Sequence, residues 1–472
     1  MKGDFSRDTF DLAKHFTRVL MQQGRVQLDA DWNEQTAILL HYLRTLAADL
    51  IGPFAGPAGA DWGFKITLKE GKDDLSIGKG RYYVDGILCE NDAPAVTYKT
   101  QKDFPNAPSL ETNHKYLVYL DVWERHLTAL ENDDIREKAL GGADTASRAQ
   151  VVWQVKIQDA TPIRLKLDPS EIRNNWAKWI AFWQPPHLGC LKALVIPPED
   201  PWDPCLTAPD SKYRGQENQL YRVEIHEAGE AKKATLKWSR DNGSIATSCD
   251  LKGTELIAGN PRGFAANQWV ELTNDGQELR GHPGTLVKVV KVEGERFTLE
   301  QGVFKPADVP QDEDWPTKVR RWDQSEKGGL ELMKGAVPVV ETVSDTDWFE
   351  LENGIQIQFL PSGEKDHPNH YRTGDHWLIP ARVQTGTIEW PVELKNDGKP
   401  DLDANGNTKP IPKGPFGIRH HYAPLATLTK VAGGSGWEVK EDCRCSFQTL
   451  NGCEIESHGE EGMGGTPVCS SG

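Results

Sequence analysis

The sequence predicts a mainly β protein of the α+β kind: several small antiparallel β domains or barrels, an N-terminal helical segment and one further amphipathic helix. Three observations point there. At 472 residues the chain is too long for one ordinary core. Short β-branched or alternating runs recur, with Asn-Gly pairs and glycines between them, as strands and turns require. Only two stretches repeat their apolar residues at a helical period.

The first of these lies within residues 10–51, where Trp32, Thr36, Leu39, Leu43, Leu46 and Leu50 recur at spacings of four, three, four, three and four. Such spacing keeps them on one stripe of a helix. Asp31 is positioned to cap its start, and Gly52-Pro53 stops it. Before it, Leu20 to Asp31 reads as a helix end, a break at Gly24 and a short connector. The stripe either packs the helix on its own domain or forms a seam with another copy or a partner. Residues Gly52 to Gly63 read as a Gly/Pro hinge.

Strand patterns follow. Phe64, Ile66 and Leu68 alternate; Leu75, Ile77, Tyr83, Ile87 and Cys89 continue the signal; Tyr116–Trp123 and Val151–Ile157 flank a polar loop from Glu131 to Arg148. The second helix is expected from Asp168 to Gln184. Asp168 is its N-cap, Pro169 its first residue and Glu171 the capping-box partner, with Ile172, Trp176, Trp179, Ile180 and Trp183 on one face. From about residue 216 the chain reads as hairpins. Asn242-Gly243 separates Ala234–Trp238 from Ile245–Cys249, and Asn353-Gly354 separates Trp348–Leu351 from Ile355, Ile357 and Phe359. Trp269–Leu272, Leu286–Val292 and Phe297–Leu299 have the strand lengths of a small barrel.

These signals divide the chain into a helical docking segment (1–52), a β domain (62–160), a helix with a Pro-rich connector (161–215), hairpins and a small barrel (216–305), a β domain (306–430) and a Gly/Ser/Cys-rich, poorly packed tail (431–472).

Composition narrows the partners. Lys and Arg total 54 against 70 Asp and Glu, a net charge of −16, which repels phosphate backbones and anionic lipid heads. No nucleic-acid partner is expected. Acidic residues stand near the start, where a secretory signal would have an apolar core, and no apolar run reaches the length of a membrane span. Cytoplasmic synthesis without a signal peptide is expected, with any exit by lysis or a dedicated route.

Candidate chemistry is sparse. Asp401, Asp403, Asn405, Gly406 and Asn407 fit the opening of a calcium loop, but Pro412 stands where a bidentate Glu belongs, so the segment is a loose calcium site or a polar hairpin tip. Calcium is the single cofactor the sequence suggests. Cys443, Cys445, Cys453 and Cys469 crowd the tail and would bind zinc or pair as disulfides, although their spacing matches no common zinc motif. Cys89, Cys190, Cys205 and Cys249 are scattered and read as reduced. His420 and His421, adjacent on a strand, point to opposite faces and suit structural roles. No nucleophile elbow, zinc-protease, phosphate-loop or dinucleotide motif occurs in a suitable setting, so no catalytic residue is assigned and no enzyme is expected. Sixteen tryptophans, one of them in Trp238-Ser239-Arg240-Asp241, would stack on sugars if exposed and fill small cores if buried; burial is expected for most.

Several stretches carry a family likeness. Lys2 to Phe10, Val19 to Gln35, Tyr82-Tyr83-Val84-Asp85-Gly86-Ile87-Leu88, Asp121 to His126, Leu220 to His226, Trp238 to Gly243, Gly374 to Arg382 and His420 to Ala426 resemble an uncharacterised bacterial family, DUF6519, encoded with phage-tail-like contractile injection systems. The resemblance implies a structural or adaptor component at a baseplate, fibre-attachment or accessory site. Its partners would be other subunits of the particle or further copies of the chain, and the particle could be released from the cell; the helical stripe joined through the Gly/Pro hinge makes Trp32, Leu39, Leu43, Leu46 and Leu50 the expected contact residues. The alternative is a carbohydrate-binding or carbohydrate-cleaving surface protein made of β modules.

Overall fold

The computed structural model describes residues 1–69, 74–111, 114–161, 163, 166–184, 189–196, 212–326, 331–344, 346–364, 366–403, 406–430 and 437–448. Asn405, Cys453 and Cys469 lie outside these residues, as does most of the expected tail. The protein is mainly β, with several sheets, a closed six-stranded barrel and an N-terminal helix.

The helix spans Asp29–Ile51. It starts two residues before the expected cap: Leu28 is the N-cap residue, and its apolar side chain makes no capping hydrogen bond. Asp31 therefore caps nothing, and Asp29 instead accepts a hydrogen bond from the Ser6 N–H. The helix expected before Gly24 is also absent. Residues 15–28 contain no helix, and only the short turn Leu12–Lys14 precedes them. The supposed hinge holds a strand, Phe54–Pro57, which begins a four-stranded sheet in the order 446–447, 54–57, 80–84, 87–91. Asp85 and Gly86 turn this last pair of strands with φ of 47° and 76°, values that a two-residue hairpin of matching twist needs at both positions.

A second sheet, ordered 437–442, 421–430, 116–127, 148–159, packs on the first. Strands Tyr116–Leu127 and Arg148–Asp159 pair over their whole lengths. Tyr82, Val84, Val118, Leu120, Ala423 and Leu425 are among the side chains buried between the layers. Residues 437–448, expected to be loose, are part of this body: Trp437 is buried and Ser446–Phe447 runs parallel to Phe54–Pro57. The expected second helix forms with Asp168 as its cap and Pro169 as its first residue, but Asn175 splits it into Pro169–Asn174 and Trp176–Trp183. Its apolar face covers this chain's own second sheet, where Ile172 and Trp179 bury against Leu117 and Cys443.

The remaining strands form a five-stranded sheet (337–338, 235–239, 219–225, 376–382, 387–388), a three-stranded sheet (349–352, 355–360, 190–195), the barrel (246–252, 255–258, 296–299, 285–293, 269–273, 318–322) and two two-stranded ladders, 66–68 with 75–77 and 229–230 with 370–371. The two open sheets share one core containing Leu191, Tyr221, Trp238, Ile357 and Trp377. The barrel has its own, around Leu256, Val270, Val289 and Phe297. Asn353-Gly354 makes the expected hairpin between 349–352 and 355–360. Asn242-Gly243 does not. Both residues have the positive φ of a hairpin turn, yet 235–239 pairs with 219–225 and 337–338 while 246–252 pairs with 255–258 and 318–322. The chain passes at that turn from the five-stranded sheet into the barrel.

Candidate interaction surface

The amino-terminal segment is held at its first residues by a buried ionic cluster. In strand 219–225, Arg222 and Glu224 are two residues apart and so share a face, where Arg222 Nε lies 2.5 Å from Glu224 Oε2. Lys237 of the neighbouring strand lies 3.3 Å from Glu224 and 2.5 Å from Glu271 of the barrel, tying sheet to barrel through one ammonium. The Trp322 indole N–H donates to Glu271 as well. Lys2 reaches into this cluster, 3.0 Å from Glu224 and above the Trp322 ring. The Met1 carbonyl accepts from Arg222 and Asn242, and the Gly3 carbonyl accepts from Asn242. Burial opposes the charge on Glu271, but Lys237, Lys2 and His226 outweigh it and hold the carboxyl down at about 2. Burial, assisted by Lys237, pushes the His226 imidazole down to about 4, so it is neutral near pH 7.

From this anchor the chain runs back along one side of the helix. Arg7 pairs with Glu389, the Thr9 hydroxyl donates to Glu34, Phe10 meets His41, and the Val19 N–H donates to Gln35. Every residue from Asp11 to Asp29 except Val19 is exposed, including Phe16, Leu20, Met21 and Val26.

The helix is fixed from its inner side. Arg44 makes a bidentate pair with Glu124 at 2.8 Å for both bonds, and Gly86 approaches the helix backbone so closely that a Cβ there would stand 2.1 Å from the Arg44 carbonyl oxygen. Ala30 and Ile38 are its buried residues. The predicted stripe faces the other way: Trp32 is 78% exposed, Leu39 52%, Leu43 63%, Leu46 57% and Leu50 67%. The stripe therefore does not pack the helix on its own domain. Five large apolar side chains aligned in water are an unusual surface for an isolated protein.

Beside the stripe, Leu40, Leu43, Arg44 and Ala47 form one wall of an open groove of about 660 Å³. Tyr83, Leu88, Val151, Trp153 and the exposed Glu90 and Asp92 complete its lining.

The other expected sites resolve into local bonding. Asp401 is 2.7 Å from the Lys409 ammonium, and Asp403 accepts from the Asn407 N–H, so an ion there would have to displace Lys409. Cys443 is buried against the second helix, its thiol pushed up to about 12 by burial, and Cys445 is half-buried; both are free thiols. Trp238 is buried, Arg240 bonds Asp323 and Glu352, and Asp241 bonds Arg321 and Ser239, so this stretch offers no open aromatic face for a sugar. His420 and His421 bond Asp121 and Asp85 respectively. Among the described residues no Ser, Thr or Cys side chain bonds the His420 ring. Glu131, Asp275 and Glu278 converge as a metal site would, but the Lys318 ammonium lies 3.0, 2.7 and 2.6 Å from them and supplies the cation itself.

The ionic cluster escaped the sequence reading. Arg222, Glu224 and His226 recur at period two and so share a face, but charges alternating with Tyr221, Val223 and Ile225 read from sequence as the solvated side of a strand, and only the barrel packed over that face buries them.

Fold and surface together define a β-rich multi-sheet protein that carries an anchored amino-terminal arm and an exposed apolar helix. Residues 1–175 and 181–460 match a family of unknown function, DUF6519, and the chain belongs to that family. No curated protein and no solved structure matches it.

Proposed function

We propose that the chain is a structural or adaptor component of a protein particle of the phage-tail-like contractile kind, and that the outer face of helix 29–51 is where a neighbouring subunit sits. What supports this is one observation: the leucine stripe is fully formed, rigidly mounted through Arg44 and Gly86, and uncovered. Packing such a face against another subunit stabilises an assembly by about 25 cal/mol for each Å² of apolar surface removed from water. The contractile setting draws on the sequence likeness at Lys2–Phe10, Val19–Gln35 and Tyr82–Leu88.

The test uses a bacterium that carries the gene. Contractile particles are sedimented and the chain is quantified against sheath protein, for the wild type and for Leu46→Asp/Leu50→Asp. The wild type is expected at a fixed ratio to sheath and the variant is expected to be lost. Absence of the wild type from particles, or full retention of the variant, would contradict the proposal.

A further inference from the structure

Residues 12–28 are anchored at both ends. The segment before them is held by the cluster around Glu224 and by Arg7–Glu389, and the segment after them is the helix itself. Between these anchors the chain projects Phe16, Leu20, Met21 and Val26 into solvent. Its charge is also distinctive: Lys14, Arg18 and Arg25 lie in this stretch with no Asp or Glu, in a chain whose net charge is −16. A basic, apolar, doubly anchored loop has lost much of its freedom already, which lowers the entropic cost of docking it.

The groove beside the helix has the opposite character. It is lined by Leu40, Leu43, Leu88 and Trp153 together with two exposed acidic residues, Glu90 and Asp92. Arg44, the cation inside it, is neutralised by Glu124. The loop does not fill the groove of its own chain. The arm lies against Glu34, Gln35 and His41, whereas the groove is bounded by Leu40, Leu43, Arg44 and Ala47. At about 100° per residue those two sets face nearly opposite sides of the helix.

We infer that residues 14–26 of one copy dock in the groove between helix 29–51 and strands 80–91 and 148–159 of a second copy, with Arg18 and Arg25 meeting Glu90 and Asp92. Both halves of the contact are on every chain, so a reciprocal exchange about a two-fold axis satisfies both loops and both grooves, whereas head-to-tail pairing would leave one loop and one groove free at the ends. This rests on the proposal that the helix region is a subunit contact, and it names the partner on the groove side as the chain itself.

Two variants decide it. Arg18→Glu/Arg25→Glu carries an acidic loop and an acidic groove; Glu90→Lys/Asp92→Lys carries a basic loop and a basic groove. Sedimentation equilibrium of the purified full chain should show a dimer for the wild type, and for each variant alone a dissociation constant raised by about tenfold or more. An equimolar mixture should recover wild-type dimerisation as a heterodimer, because both of its loop–groove contacts join opposite charges. Unchanged melting temperatures would show that the variants are folded. A monomeric wild type, a dimer indifferent to both variants, or weakened dimers that the mixture does not restore would each overturn the inference. The subunit proposal is read separately: if these variants still sediment with particles while Leu46→Asp/Leu50→Asp does not, that proposal stands even when the exchange fails.

Discussion

Lys237 shows how much one side chain can hold. Its ammonium is buried and lies within 3.3 Å of two buried carboxylates from different sheets, Glu224 and Glu271. Lys237→Met keeps most of the volume and leaves those carboxylates short of a cation, so it should cost about 3–5 kcal/mol in urea unfolding. The same cluster sets an acid limit. His226 has a folded value near 4 against an ordinary 6.5, so between those values the unfolded chain binds the extra proton and stability falls as pH is lowered from 6.5 towards 4. Glu271, held at about 2 against 4.5, extends the loss below pH 4.5, since its stabilisation is present above 4.5 and disappears as pH falls through 2. Melting temperatures recorded from pH 7 to 3 should decline in both windows, and His226→Gln should flatten the upper one. These residues were legible only as a pattern. Period two places Arg222, Glu224 and His226 together, but nothing local says that Lys2, more than two hundred residues away, closes the cluster from above.

At the scale of the element, the amino-terminal helix depends on a contact that sequence periodicity does not describe. The leucine spacing identifies the helix and its stripe, whereas the Asp85-Gly86 turn lies inside a run read only as continued strand signal. That the two touch follows from the tertiary arrangement. Gly86 has φ of 76° and no room for a Cβ against Arg44, so Gly86→Ala should strain the turn, push the helix outward and cost about 2–3 kcal/mol. Hydrogen exchange should then quicken across residues 38–51 more than in the barrel. Turn residues also misled in one place. Asn242-Gly243 has the backbone of a hairpin turn, but Asn242 uses its side chain to hold Met1 and Gly3, and the strands on either side belong to different sheets. A dipeptide fixes the local bend and leaves the pairing of its flanks to the hydrophobic surfaces beyond. The segment before Gly24 went wrong for a related reason: apolar residues at 16, 20 and 21 suggest a helix end, yet no intrachain surface exists there to stabilise a short helix.

Across the whole molecule, the β-rich class and most of the barrel were readable because short strands and turns leave local marks, although the barrel's strand 318–322 fell in the unit read as 306–430. Long-range pairing was not. Strand 421–430 lies beside 116–127, so the regions read as separate units at 62–160 and 306–430 share a sheet, and 190–195 lies beside 355–360, so 161–215 and 306–430 share another. Exposed apolar side chains elsewhere, such as Leu140, Phe304 and Val343, are scattered along the chain, whereas those of helix 29–51 are aligned on one face. The central claim is that this face is covered by another subunit in the assembled particle. Hydroxyl-radical footprinting of the free chain and of the same chain within sedimented particles measures that cover residue by residue. Trp32, Leu39, Leu46 and Leu50, which lie outside the groove, should react readily in the free chain and be protected in the particle, with surface residues remote from any contact unchanged as an internal reference. Equal reactivity of these four residues in both states would contradict the account.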